Sequence, residues 1–111
     1  MVVRSEARSR PAVLAAKIRD VDVSRATPYS ANRVVAIGQW LAEAKADEAI
    51  PRGEWIRWVE QEAGLPPKTA GLYMRLAWLV AEGFIMVGDI TDLGQDAALK
   101  LGLAKARQRA A

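Results

Sequence analysis

The sequence predicts an all-α fold, a small helical domain of about five helices built around a helix-turn-helix, and three observations point that way. Apolar residues recur at three- and four-residue spacing through most of the chain. No segment alternates apolar and polar residues over a useful strand length, and no internal repeat is visible. Two helical segments in the second half are separated by a short turn carrying Gly64, Pro66 and Pro67, the sequence shape of two helices meeting at a tight corner.

Taken in order, the first helix is expected over residues 11–21, because Pro11 suits a first helical position and Leu14, Ile18 and Val21 share one face. A second opens at Thr27 and Pro28, a capping residue followed by proline, and runs to Lys45. Val34, Ile37, Leu41 and Ala44 form its stripe, widened by Val35 and Trp40. The third, over residues 51–63, sets Trp55, Ile56, Trp58, Val59 and Ala63 against solvent-facing Arg57, Glu60, Gln61 and Glu62. Gly64 stops it where a left-handed residue costs least. Pro67 starts the fourth, which runs to Glu82 with Gly83 as its stop. Thr91 or Asp92 is expected to cap a last helix through Leu93, Ala97, Leu99 and Leu101, and residues from Lys105 onward are expected to fray. The organisation is then a basic arm with a short helix over residues 1–26, a helical domain over 27–104 with the helix-turn-helix at 51–82, and a basic tail over 105–111.

Aligning the turn glycine of the usual helix-turn-helix pattern on Gly64 starts the unit at Ile56. Apolar residues then fall where two crossing helices interlock, at Val59, Ala63, Leu65, Ala70 and Tyr73. Glu60 departs from the small residue the pattern prefers. In this frame the fourth helix would enter a DNA major groove by its N-terminal half. Lys68, Thr69, Gly71, Leu72 and Arg75 are the candidate contacts, with Arg52 and Arg57 as further cations on the supporting helix. Arg75 suits a guanine edge or a phosphate; Lys68 and Thr69, at the helix start, suit a phosphate. No acid interrupts residues 65–81.

The same helix carries Leu72, Leu76 and Leu79 on a face distinct from Ala70, Tyr73 and Ala77, so it is apolar nearly all round. Either the last helix folds over those leucines or they form an interface, as in a homodimer on a two-fold DNA site. The four tryptophans, Trp40, Trp55, Trp58 and Trp78, could form a stacking platform for single-stranded nucleic acid. At helical spacing beside aliphatic residues they read instead as core, Trp40 and Trp55 above all, with Trp58 the one expected to be partly exposed. Asp89, Asp92 and Asp96 lack the spacing and closing glutamate of a calcium loop and read as caps or solvated residues.

Composition narrows function. Cysteine and histidine are absent, which removes thiol nucleophiles, imidazole bases and the common zinc ligands; neither catalysis, a metal, a cofactor nor a small-molecule substrate is expected. Residues 1–8 hold no apolar run of signal length, and residues 76–87 are too short to span a bilayer, so a cytoplasmic, non-membrane protein is expected. The net charge of +3 is unevenly spread: residues 1–33 carry seven cations and three acids, residues 34–96 five and ten, and residues 97–111 four cations and no acid. Basic ends on an acidic middle suit an anionic partner, or are simply solvated tails.

Three runs together resemble a known family. They are Ile37-Gly38-Gln39-Trp40-Leu41 with Ala44-Lys45, then Pro51-Arg52-Gly53-Glu54-Trp55 with Trp58, then the run from Thr69 through Tyr73-Met74-Arg75 to Ala77. They are similar, with the closing segment Ile90-Thr91-Asp92-Leu93-Gly94, to a family of small uncharacterised helix-turn-helix-like domains from phage, prophage, plasmid and integrative-element proteins. The resemblance covers residues 34–101, leaves residues 1–33 outside it, and implies mobile-element biology without an activity. Arg52 stands where such domains often have histidine. The expected function is a DNA-binding regulator or accessory factor acting on double-stranded DNA as a homodimer. Two alternatives stand beside it: an interaction module such as an antirepressor or adaptor, using the leucine face, and a small DNA-packaging subunit.

Overall fold

The computed structural model describes residues 10–23 and 31–110. These residues form six helices and no strand: α1 Arg10–Val23, α2 Ala31–Lys45, α3 Trp55–Trp58 continued by a wider π turn Val59–Ala63, α4 Pro67–Ala81, α5 Val87–Leu93 and α6 Gln95–Ala110. A 3-10 turn, Arg52–Glu54, leads into α3. Thr27 and Pro28, expected to open the second helix, lie outside the described residues. None of the described helices is long and apolar enough to cross a membrane.

The core has two parts. Leu14, Ala15 and Ile18 of α1 pack with Ile37, Leu41 and Ala44 of α2, with Trp58, Val59 and Ala63, with Leu65 of the turn and with Ala70 of α4. The second part joins Ala31, Val34 and Val35 of α2 to Leu76, Ala77 and Leu79 of α4, Phe84 and Ile85 of the following turn, Ile90 of α5 and Ala98 of α6. Helices α2 and α4 form the most extensive pair and connect both parts. Their backbones touch at Gly38, where an added Cβ would stand 2.1 Å from the Tyr73 carbonyl oxygen and 2.7 Å from the Ala77 Cβ.

The first helix is therefore no arm. Leu14 and Ile18 are completely buried, which at about 1.5–3 kcal/mol for each large aliphatic side chain makes α1 integral to the fold. An exposed ion pair from Arg10 to Glu43 ties its start to α2. The hydrogen bond from Arg10 holds the Glu43 carboxyl below its ordinary range.

The C-terminal part departs from expectation in two places. Thr91 and Asp92 do not cap the last helix but lie within α5, whose start is fixed by Asp89, its carboxylate accepting the Met86 N–H at 2.8 Å. Gly94, at φ 89°, then separates α5 from α6. The basic tail also continues α6 as far as Ala110. Arg109 holds it down by pairing with Glu82 at 3.2 Å and lying over the Phe84 ring at 4.1 Å.

Leu76 and Leu79 are fully buried. They belong to the core, and their assignment to an interface is corrected: α6 packs against α4 so closely that a Cβ added at Gly102 would lie 2.6 Å from Leu79 Cδ1. Leu72 alone of the three is partly accessible. The tryptophans are also redistributed. Trp58, expected to be partly exposed, is buried at 9% exposure and stacks on half-buried Trp55 with ring centroids 5.3 Å apart, whereas Trp78 is 49% exposed. Helical spacing specifies which residues share a face; which face a distant segment covers is decided by packing.

Candidate nucleic-acid interface

The corner between α3 and α4 is built by backbone hydrogen bonding. The π turn ends at Gly64, in the left-handed region at φ 73°, and the amides of Gly64 and Leu65 both donate to the Val59 carbonyl, Leu65 at 3.1 Å. The left-handed step turns the chain, and Leu65 drops into the core at 4% exposure. Pro66 is extended, and Pro67 starts α4, where its missing N–H would have had no partner. Val59, Ala63, Leu65 and Ala70 are all buried, and Tyr73 packs against them from the edge. Glu60 is exposed and stays out of the contact.

This packing orients α4. Ala70, Leu76, Ala77 and Leu79 face inward, while Lys68, Arg75 and Trp78 are exposed and Thr69, Gly71 and Leu72 are partly so. Lys68, Thr69, Gly71, Leu72 and Arg75 line one groove of about 570 Å³ with Pro67 and, from α6, Asp96 and Leu99. Among the described residues, neither Lys68 nor Arg75 is held in an ion pair. No side chain caps the start of α4 and no acid lies in its first turn, so its first amides and the positive end of its dipole remain available to an anion.

Five of the sequence-predicted contacts thus converge on one groove, but two do not. Arg57 lines a separate groove with Pro11, Ile50, Pro51 and Glu62, and Arg52 is exposed in the 3-10 turn and lines neither. The supporting-helix cations therefore do not extend the α4 surface. Sequence reasoning missed Asp96 on the groove lining and the exposure of Trp78, which lies outside that lining. The helical wheel contains Trp78, three residues after Arg75 and so on the same side. Asp96 reaches the groove only through the packing of α6, which no local pattern encodes.

Among the described residues, Asp96 is the one acid on the groove lining. It opposes any phosphate drawn to Lys68 and Arg75, and as an acceptor it is suited to an exocyclic amine of a base. Among the described residues no group of three or more acidic side chains gathers as a metal site would require.

Comparison with known proteins gives a family and nothing finer. No curated protein and no solved structure shows a significant match. The family model described as "Protein of unknown function (DUF3102)" matches residues 9–97. The match includes α1 in full, so the N-terminal segment, expected to stand apart as an arm, is part of the family domain from residue 9 onward. With most of its length matched, and with every helix from α1 to α5 inside the matched span, the chain belongs to this DUF3102 family.

Proposed function

We propose that this protein binds double-stranded DNA through the N-terminal half of α4, as a non-catalytic regulator or accessory factor of a phage or other mobile element, working inside the cell as a homodimer. The observation that carries the reading is the pair of exposed cations, Lys68 and Arg75, two turns apart on one side of a helix. They are free of ion pairs among the described residues, and they follow an uncapped helix start fixed by a glycine turn. Such a helix can lie along a major groove with its first turns on base edges and its amides on a phosphate. One helix reads few base pairs, so two copies on two half-sites supply the remaining specificity. The mobile-element setting rests on the resemblance carried by residues 34–101. The interaction-module reading loses its surface, since Leu76 and Leu79 are internal.

The test is a titration of the purified protein with random duplex and with duplex from its own genetic neighbourhood, at several salt concentrations. Salt-sensitive binding is expected. The Lys68→Ala/Arg75→Ala variant should weaken it and flatten the log–log salt slope by about two, one for each phosphate no longer neutralised. Absence of binding at low salt by folded protein would overturn the reading.

A further inference from the structure

The four tryptophans differ in what covers them. Trp58 is buried and stacked on Trp55, whose ring also lies 5.7 Å from the Lys45 ammonium; Trp40 is half-buried beneath Lys17, likewise at 5.7 Å. Trp78 is half exposed, and its ring partner among the described residues is Phe84, with centroids 5.7 Å apart and planes tilted by 37°. Phe84 is itself buried and clamped by Arg109, so it is a fixed backing for the indole. A large aromatic ring held against a rigid support, with much of its surface in water, is preorganised to take another flat ring.

Its neighbours suit a nucleic acid. Arg75 lies one turn before it on the same side of α4, exposed and without an ion pair among the described residues. Glu82, one turn after it, is the acid nearest along that side, and its charge is taken up by Arg109. The exposed strip along α4 therefore presents cation, cation, then indole. Successive phosphates and an unstacked base present the matching order of chemistry, whereas the bases of an intact duplex offer no open face for stacking.

We propose that Trp78 is a base-stacking platform beside Arg75, and that the DNA taken by this face includes an unpaired, single-stranded stretch next to its duplex. The inference deepens the DNA-binding reading and rests on it.

The experiment measures the affinity of the full chain for three labelled DNAs by fluorescence anisotropy at low salt: a blunt duplex, the same duplex with an oligo-dT tail, and oligo-dT alone. Wild type should prefer the tailed duplex to the blunt one by about tenfold, the size of one base stacked on an aromatic ring. Trp78→Ala should lose that preference and keep its affinity for the blunt duplex. Trp78→Phe, which retains a ring, should recover most of it. Circular dichroism of both variants should match wild type, because the indole is not a core residue. Equal affinity for blunt and tailed duplex, or a preference that survives Trp78→Ala, would overturn the inference and leave duplex binding standing. Failure of the folded protein to bind any of the three would remove both. Self-association that Trp78→Ala abolishes, with no change in the DNA preference, would assign the indole to a second copy of the chain and overturn the inference as well.

Discussion

The two parts of the core are held together by different means. In the first, α1, the C-terminal half of α2, α3 with its π turn and the start of α4 bury side chains that lie mostly three and four apart, among them Leu14, Ile18, Ile37, Leu41, Val59 and Ala63, with a single positive-φ glycine, Gly64, at its corner. In the second, α4 is covered by a segment broken twice by glycines of positive φ, Gly83 and Gly94, and its fit depends on side chains from turns and short helices, such as Phe84, Ile85 and Ile90. Longer periodic helices and one glycine corner make the first part; short elements between two glycine breaks make the second. The difference teaches that helical spacing and one glycine corner are enough to build one half of this molecule, while the other needs two closely spaced breaks to bring α6 back over α4.

The largest expected effect strikes the joint common to both. Gly38→Val would drive a branched side chain into the Tyr73 carbonyl and Ala77, backbone and helix that cannot swing aside as a side-chain tip can. The cost should exceed the ordinary overpacking range of about 1–3 kcal/mol, and no cooperative thermal transition should be seen. A Gly38→Val protein that melts near wild type would break the claim that the two parts share one close-packed pair.

A matched pair of truncations sharpens the comparison. Leu14→Ala in the first part and Leu79→Ala in the second both empty fully buried sites, and each should cost about 2–5 kcal/mol in urea unfolding. Leu79 should fall lower in that range, because Gly102 sits against it and α6 can settle inward. The reverse order would show that the second part is the more rigid of the two.

The smallest effect belongs to the surface. Glu43 titrates below its ordinary value when folded, chiefly through the hydrogen bond from Arg10. Its contribution is therefore present above the unfolded carboxylate value and disappears as pH falls through the lower folded one. Glu43→Gln should slightly flatten the acid limb of a stability profile and leave neutral stability nearly unchanged, as expected of an exposed pair. A large loss at neutral pH would mean that the α1–α2 contact depends on this bridge rather than on Leu14 and Ile18.

The same division explains what could be read without coordinates. Val59, Ala63, Leu65 and Ala70 follow from the glycine turn and helical spacing, and all four are buried; the gathering of Lys68, Gly71, Leu72 and Arg75 follows because one helix carries them. The break at Gly94 escaped because Thr91 and Asp92 are equally good caps on local grounds. The break itself is the non-helical backbone of Gly94, φ 89° and ψ 165°, from which Ile90 and Ala98 enter the core on separate helices. The burial of Trp58 and the exposure of Trp78 escaped for a similar reason: Trp58 is shielded by its stacking on Trp55 within the first part, while the segment after α4 covers Leu79 and leaves the Trp78 indole out.

The division of α4 into a buried arc and an exposed one makes its outer surface exchangeable. Ala70, Leu76, Ala77 and Leu79 anchor the helix, while Lys68, Arg75 and Trp78 are exposed and Gly71 has open space around it. Substitutions at the outer positions should therefore cost folding little. The helix is built like an interchangeable bit in a fixed socket, and under the proposed DNA-binding function, variants with new specificities would be sought in a library confined to those four residues.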